Sequence, residues 1–200
     1  MSSELLGQTV VLIGGSAGIG LETARQARAE GAEVVLTGRN RERLEQAAAE
    51  VGAQSTAAFD ATDSSALLGF FADLPSVDHV LVTAGGPRYG PLLEMDADEV
   101  REALSAHAVL GLEVARHAKA KMRPGGSLIL MGGTGGRRID KRLGIVSAAT
   151  ATLPPFTAAL ALELALELRF GAEIPGHASS VLADAISWEH FVDFRGAGCR

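Results

Sequence analysis

The feature that most constrains the fold is a stretch near the start of the chain, Thr9 to Gly20, with the sequence TVVLIGGSAGIG. It opens on a run of β-branched and aliphatic residues that is typical of a buried strand. Glycines at positions 14, 18 and 20 then break the strand, and an amphipathic pattern predicts a helix directly after them. Strand, glycine-rich turn and helix form the first half of a βαβ unit, which can hold a pyrophosphate at the helix N-terminus.

Each glycine of this turn has its own predicted role. Gly14 lets the chain turn sharply, Gly18 permits close approach of backbone to ligand, and Gly20 permits close packing of helix on strand. The residues predicted to contact the dinucleotide here are Gly14, Ser16, Ala17, Gly18, Ile19 and Gly20. The alternative interpretation is a tight strand–helix turn that binds no ligand.

The spacing Gly-x-x-x-Gly-x-Gly resembles the fingerprint of the short-chain dehydrogenases/reductases, Thr-Gly-x-x-x-Gly-Ile-Gly, with Ile13 in place of the threonine. The resemblance covers about Thr9 to Leu164. It implies a Rossmann-type α/β fold, a doubly wound parallel sheet in three α/β/α layers with ligands at the carboxyl ends of the strands. We predict one dinucleotide-binding domain over 1–176 with an irregular tail over 177–200, and we expect the family's final C-terminal strand to be missing.

Hydrophobic runs and their boundaries predict the remaining elements. The predicted further strands are Glu33–Thr37, Ser55–Phe59, Val77–Val82 and Ser127–Met131. The predicted further helices are Arg41–Val51, Asp63–Asp73, a long helix over Asp96–Met122, and one over Pro154–Leu168 after a separate turn at Ser147–Thr150. All of these elements follow the family's order, with no internal repeat or linker between them.

The end of the second strand bears on which dinucleotide the chain prefers. Gly38 stands where the NAD-preferring members of the family have an aspartate, and Arg39 follows it. A guanidinium fork matches a 2′-phosphate, and the missing carboxylate removes a repulsion against that phosphate. These residues favour NADP(H) over NAD(H). The alternative is that Arg39 merely opens the helix that begins at Arg41.

Two further pairs are assigned to the cofactor through the resemblance. Asp60 and Ala61 correspond to the family's contact with the adenine edge, although Asp60 is equally suited to a turn or cap before the next helix. Ala84 and Gly85 keep the second half of the family's Asn-Asn-Ala-Gly and leave room for the ribose and nicotinamide.

The catalytic positions of the family are changed in this chain. The family uses a tyrosine and a lysine, spaced Tyr-x-x-x-Lys, to handle the proton, and the alignment places these positions on Val146 and Thr150. The serine position falls on Gly133 and the asparagine position on Ala108. We therefore predict that the standard proton relay is absent.

Three residues are candidate replacements in that relay. Thr134 lies in a glycine-rich loop and can hydrogen-bond a carbonyl, and His107 has the right chemistry for acid–base work but sits on a helix rich in Ala and Leu. Tyr89, the single tyrosine, lies in a loop on the side expected for the substrate, and it is equally suited to packing there. Hydride transfer needs only positioning and some polarisation of the carbonyl, so residual activity is compatible with any of them.

Composition narrows the functional classes. A net charge of -6 and the lack of a basic run with interleaved aromatics argue against a nucleic-acid partner. One cysteine excludes a disulfide framework and the multi-cysteine metal motifs, so no metal is expected. No secretory signal and no uncharged apolar run of bilayer length is apparent, which predicts a cytoplasmic protein without a membrane partner. The resemblance further implies a homodimer or homotetramer.

Three functional interpretations remain open at this stage. The first is an NADP(H)-dependent oxidoreductase for a small carbonyl or alcohol substrate, with a non-standard or weakened proton relay. The second is a catalytically inactive NADP(H)-binding sensor or partner subunit. The third is a truncated fragment that binds poorly because one sheet edge and the substrate lid are missing.

Overall fold

Five parallel strands form a single sheet in the computed structural model, which describes residues 5–133 and 140–164. The strands are β1 (Thr9–Ile13), β2 (Glu33–Gly38), β3 (Ser55–Ala58), β4 (Val77–Val82) and β5 (Met122–Leu130). Their order across the sheet is β3-β2-β1-β4-β5. The strand order therefore reverses between β1 and β4, which is the point where ligands bind in open α/β sheets.

Helices connect consecutive strands and cover both faces of the sheet. They are α1 (Gly18–Ala29), α2 (Arg41–Val51), α3 (Ser64–Asp73), α4 (Ala97–Leu104), α5 (Leu110–Ala118), α6 (Gly144–Ala151) and α7 (Leu153–Leu164), with a 3-10 turn at Leu92–Glu94 and a π-helical segment at Ser105–Val109. This arrangement confirms the predicted doubly wound Rossmann-type α/β fold.

The side chains of β1 alternate between two hydrophobic layers. Val11 and Ile13 pack with Phe71 of α3 and Val114 of α5 on one face. Val10 and Leu12 pack with the alanines of α1 and with α2 on the other face. Because successive strand residues point to opposite faces, a strand buried on both sides has a continuous apolar sequence, as TVVLI does.

The predicted boundary between the long helix and the fifth strand is wrong. The helix begins where predicted, with Asp96 as its N-cap in a capping box with Glu99, but it ends at Ala118 instead of Met122. Residues 122–126, expected to precede the strand, belong to β5. The pairing shifts between Val77↔Met122 and His79↔Ser127, so the Pro-Gly-Gly sequence forms an irregularity inside the strand and does not stop the helix.

The predicted C-terminal helix is also corrected. Residues 144–151 form a helix of their own, where only a turn over Ser147–Thr150 was expected, and α7 begins at Leu153, one residue before the predicted start. Pro154 and Pro155 occupy the first turn of α7, where a missing N–H costs little. The predicted end at Leu168, the proposed missing strand and the tail over 177–200 lie outside the described residues.

The expectation that no apolar run reaches bilayer length needs a correction. Within the described residues, Gly144–Leu164 is long and apolar enough to cross a membrane by length and composition, and 39% of its most apolar 18-residue window is buried inside the fold. A buried core helix passes the same test, and Ile145, Leu153 and Leu160 of this stretch are buried. The finding is therefore weak support for a membrane span.

Candidate functional site

A cavity of about 640 Å³ lies at the carboxyl ends of β1, β4 and β5, beside the point where the strand order reverses. It joins the glycine-rich turn after β1 to residues of the π-helical segment and of α6. The described residues that line it are Gly14, Ala17, Gly18, Ile19, Gly20, Thr83, Ala84, Gly85, Pro87, Tyr89, His107, Met131, Gly132, Gly133, Leu143, Val146 and Thr150. Several residues predicted for the cofactor thus share the cavity with His107 and Tyr89, whereas Ser16, Arg39, Asp60 and Ala61 are not among its described lining residues.

The turn after β1 has no room for side chains at two of its glycines. Gly14 has a φ of +101°, and a Cβ there would lie 2.7 Å from the backbone nitrogen of Ala84. A Cβ on Gly20 would lie 2.7 Å from the hydroxyl oxygen of Thr83 and even closer to the carbonyl oxygen of Gly14. The close packing of helix on strand that was predicted for Gly20 is therefore visible as backbone contact.

The N-terminus of α1 is left without the usual capping groups. The N-cap residue is Ala17, whose side chain makes no capping hydrogen bond, and the first turn contains no acidic residue. Gly18, with a φ of +54°, faces open space, since a Cβ there would meet nothing within 4 Å. Exposed N–H groups and the positive end of the helix dipole attract an anion, so the residues fit a pyrophosphate.

Thr83 holds this turn in place, a role that the sequence does not reveal. Its hydroxyl donates a hydrogen bond to the carbonyl oxygen of Gly14 at 3.0 Å, and its backbone N–H donates to the carbonyl oxygen of Ile13 at 2.9 Å. The only signal is a hydroxyl residue directly after the strand that pairs with β1. The family resemblance marks Thr83 simply as the replacement for an asparagine.

Thr83→Val should weaken NADPH binding about two- to tenfold, because a net hydrogen bond contributes about 0.5–1.5 kcal/mol and valine keeps the shape of threonine. The measurement is a fluorescence titration with NADPH, alongside thermal unfolding. Thr56→Val is the matched control, because Thr56 is exposed on β3 at the far edge of the sheet. Equal affinities for wild type and Thr83→Val would show that the turn does not need this hydroxyl.

The end of β2 presents a small residue and an exposed cation. A Cβ on Gly38 would lie 2.8 Å from the hydroxyl oxygen of Ser16, so a larger residue at position 38 would have to displace that side chain. The Arg39 side chain is 80% exposed. Asn40, and not Arg39, caps α2, since its side chain accepts a hydrogen bond from the N–H of Arg43. The helix therefore makes no use of the Arg39 guanidinium.

Asp60 forms a turn in this structure. Its Oδ1 atom accepts hydrogen bonds from the backbone N–H of Thr62 at 3.0 Å and from the Thr62 hydroxyl at 2.8 Å, which together hold the pKa of the Asp60 carboxyl below its usual value. Its Oδ2 atom lies 3.9 Å from Arg39. The cap of α3 is Asp63, and Ala61 is buried. An adenine contact by Asp60 and Ala61 stays a prediction.

The backbone at Ala84 and Gly85 is packed between β1 and the π-helical segment. The N–H of Ala84 donates to the carbonyl oxygen of Ile13 at 2.8 Å. Gly85 has a φ of +93°, and a Cβ there would lie 2.5 Å from the carbonyl oxygen of Ala106. Only glycine lets the π-helical segment approach the end of β4 this closely.

The structure places two of the three candidate proton carriers in the cavity. His107 is half-buried in the π-helical segment, and Tyr89 is 58% exposed in the loop after β4. Thr134 lies outside the described residues. Val146 and Thr150 also line the cavity, and the Thr150 hydroxyl donates to the carbonyl oxygen of Val146 at 2.8 Å within α6.

Comparison with known proteins identifies the relatives of this chain. A family model described as enoyl-(acyl carrier protein) reductase matches residues 14–193. The chain is 30% identical over 193 residues to the short-chain dehydrogenase/reductase ATR9 of Stachybotrys chlorohalonatus (strain IBT 40285), a match covering 85% of this chain and 73% of the relative. It is 27% identical over 197 residues to the NADP-dependent (R)-specific alcohol dehydrogenase of Lentilactobacillus kefiri, covering 92% and 78%.

Solved structures share the fold. The crystal structure of BdcA in complex with NADPH superposes with a TM-score of 0.76 at 24% sequence identity, covering 83% of this chain and 69% of that one. Some curated relatives are matched over less of their length, since the chain spans 49% of one and 56% of another. Because the family model matches most of the chain and ATR9 is 30% identical, the chain belongs to the short-chain dehydrogenase/reductase family of NAD(P)(H)-dependent oxidoreductases.

Proposed function

We propose that the protein is an NADP(H)-dependent oxidoreductase that interconverts a small carbonyl compound and its alcohol, with a proton relay different from the family's usual one. The observation that carries this proposal is the uncapped N-terminus of α1, which opens into the same cavity as His107 and Tyr89. An anion site and proton-carrying side chains in one cavity are what a reductase needs.

The chain's own residues supply a binding surface along the carboxyl ends of the strands. The N–H groups at Gly18–Gly20 bind the pyrophosphate, Arg39 lies on the adenosine side, and Ala84 and Gly85 leave room for the nicotinamide. The nicotinamide, when bound, supplies or accepts the hydride. The protein's part is to orient the substrate carbonyl, exclude water and hold the proton.

The preference for NADP(H) is supported by the charges at the end of β2. Gly38 carries no carboxylate, and the exposed Arg39 guanidinium has a single described acidic neighbour, Asp60, at 3.9 Å. A pair this long and exposed is weak, so the guanidinium is available for a 2′-phosphate. One relative is named as NADP-dependent and one solved relative holds NADPH, which is compatible with the proposal.

The altered relay follows from the residues at the family's catalytic positions. Val146 and Gly133 have no side-chain proton to exchange, and the Thr150 hydroxyl donates inside its own helix. None of them carries the positive charge that makes a neighbouring phenol acidic near neutral pH. We therefore place the proton on a different group of the cavity.

The same residues favour a second function, an NADP(H)-binding sensor or partner subunit without turnover. An intact phosphate-binding turn beside Val146 and Thr150 is also what such a protein requires. The first test is a titration with NADPH and NADH, followed by carbonyl-dependent oxidation of NADPH across a panel of aldehydes and ketones. If NADPH binds and is oxidised, the reductase is supported. If NADPH binds and is not oxidised, the sensor is selected, and if it does not bind, the fragment interpretation is left.

Two exposed apolar side chains support a proposed homodimer or homotetramer. Val109 is 50% exposed in the π-helical segment and Leu162 is 84% exposed on α7. Burial against a second copy removes such surface from water. Sedimentation velocity at micromolar concentration should give a dimer or tetramer, and a monomer would contradict this.

With a net charge of -6, we propose a cytoplasmic protein without nucleic-acid or membrane partners.

A further inference from the structure

We infer that His107 is the group that exchanges the proton with the substrate oxygen, an inference that rests on the proposed reductase function. Of the described residues that line the cavity, only His107 and Tyr89 have titratable side chains. Histidine is the side chain best suited to exchange a proton near neutral pH. The other polar hydroxyls there, those of Thr83 and Thr150, already donate to backbone carbonyl oxygens.

The two nitrogens of His107 have different surroundings. Nδ1 lies 3.4 Å from the carbonyl oxygen of Ala103, one turn earlier in the helix. A carbonyl only accepts hydrogen bonds, so the proton of the neutral ring is assigned to Nδ1. Nε2 has no hydrogen-bond partner among the described residues, and His107 lines the cavity, so we assign the lone pair of Nε2 to the substrate, as a general base requires.

The backbone brings this side chain to the end of the sheet where the substrate must lie. His107 is the central residue of the π-helical segment Ser105–Val109, and such segments are frequent at functional sites. Gly85 permits the close approach, because a Cβ there would lie 2.5 Å from the carbonyl oxygen of Ala106, the residue before His107. The backbone directly before His107 thus lies against Gly85, and His107 lines the same cavity as the two residues assigned to the nicotinamide.

Tyr89 is the weaker candidate on the same criteria. Its side chain is 58% exposed, whereas His107 is half-buried. A phenol needs an adjacent cation to give up its proton near neutral pH, and no Lys or Arg is among the lining residues that the structure describes. We assign Tyr89 to contact with the apolar part of the substrate, next to Pro87 and Leu143.

The proposed step couples proton transfer at His107 to hydride transfer at the substrate carbon. In the direction of reduction, the carbonyl carbon receives a hydride from NADPH, and the carbonyl oxygen receives the proton that leaves Nε2 of the imidazolium form of His107. The products are the alcohol, NADP⁺ and neutral imidazole, and solvent then restores the proton on Nε2. In the direction of oxidation, neutral Nε2 takes the proton of the hydroxyl group as the carbon loses its hydride.

The kinetic test compares His107→Gln with wild type and with His117→Gln, a control on α5 outside the cavity. We expect kcat for reduction of an uncharged aldehyde to fall about a hundredfold or more in His107→Gln, since general acid catalysis contributes roughly 10²–10⁴-fold. The dissociation constant for NADPH should stay within about twofold. Added imidazole should restore part of kcat in His107→Ala and none in Val146→Ala.

A second measurement needs no turnover. Nitrogen-15 NMR of the ligand-free protein, with His107 assigned by the His107→Gln variant, should show Nδ1 protonated and Nε2 unprotonated in the neutral ring. The opposite tautomer would overturn the inference. Full kcat in His107→Gln would overturn the inference alone, whereas wild-type protein that binds NADPH but oxidises none with any carbonyl would overturn the proposed function and the inference together.

Discussion

Gly20→Ala should weaken NADPH binding about 5- to 150-fold, because it places a methyl group where the turn has no room for one. The new Cβ would lie 2.7 Å from the hydroxyl oxygen of Thr83 and closer still to the carbonyl oxygen of Gly14. Backbone atoms have to move to relieve such a contact, and overpacking of this kind typically costs about 1–3 kcal/mol. The movement displaces the N–H groups at the start of α1. The measurement is an NADPH titration together with urea-induced unfolding.

Variants at two other glycines help to distinguish a loss of NADPH affinity from a loss of fold stability. Gly69 lies exposed in α3, where a Cβ would meet nothing within 4 Å, so Gly69→Ala should leave NADPH affinity unchanged and stabilise the helix by roughly 0.5–1 kcal/mol. Gly18→Ala meets no protein atom either, but its methyl group would occupy the space that faces the ligand. Alanine is also strained at the φ of +54° found there, so the free energy of unfolding should fall by roughly 1–2 kcal/mol together with the NADPH affinity. Unchanged NADPH affinity in both Gly18→Ala and Gly20→Ala would mean that this turn does not bind the cofactor.

Arg39→Ala should reduce NADPH affinity about 10- to 150-fold and change NADH affinity by less than about twofold. The reason is that a hydrogen bond to a charged group contributes about 1.5–3 kcal/mol, and only NADPH carries the 2′-phosphate. The Arg39 side chain is 80% exposed and 3.9 Å from Asp60, so its removal should barely change the free energy of unfolding. Parallel titrations with the two dinucleotides measure the difference directly.

Arg41→Ala is the matched control for this prediction. Arg41 is exposed at the first position of α2, two residues from Arg39, and its loss changes the net charge of the protein equally. It should lower NADPH affinity far less than Arg39→Ala does. Equal losses of NADPH and NADH affinity in Arg39→Ala would refute the 2′-phosphate assignment. Equal losses of NADPH affinity in Arg39→Ala and Arg41→Ala would mean that the affinity depends only on the net charge of the protein.

The fold was predictable because each strand has a local signature. A continuous apolar run such as Val10 to Ile13 is buried on both faces, and the glycines that follow it force a turn before α1. Asp63 and Asp96 are N-caps in the structure, at the boundaries where the helices after the third and fourth strands were expected to begin. These signals depend on residues close in sequence, so they can be recognised without knowledge of the tertiary structure.

The boundaries that failed depend on contacts between distant residues. The Pro-Gly-Gly sequence at 124–126 suggested the end of a helix, yet it lies inside β5, where a Cβ on Gly126 would collide with the carbonyl oxygen of Asp78 on β4. No local pattern shows which strand will lie opposite. The two-turn helix α6 was missed for a similar reason, since it is held by burial of Ile145 and Ala149.

The site was only partly predictable. The glycine spacing between a strand and a helix predicts an anion-binding turn, but the hydrogen bond from Thr83 to Gly14 spans 69 residues and becomes visible only in three dimensions. From the sequence, Asp60 was equally suited to an adenine contact and to a turn or cap, and the structure shows it in a turn with Thr62. His107 was one of three candidates, and we favour it because its Nδ1 lies beside the carbonyl oxygen of Ala103 and its side chain lines the cavity.

The crystal structure of the protein grown with excess NADPH is the most direct test of the phosphate-binding turn on which the proposed function depends. We predict density for the pyrophosphate against the backbone N–H groups of Gly18, Ile19 and Gly20, with the nicotinamide beside Ala84 and Gly85. An empty turn, or one whose N–H groups point away from the bound dinucleotide, would contradict it.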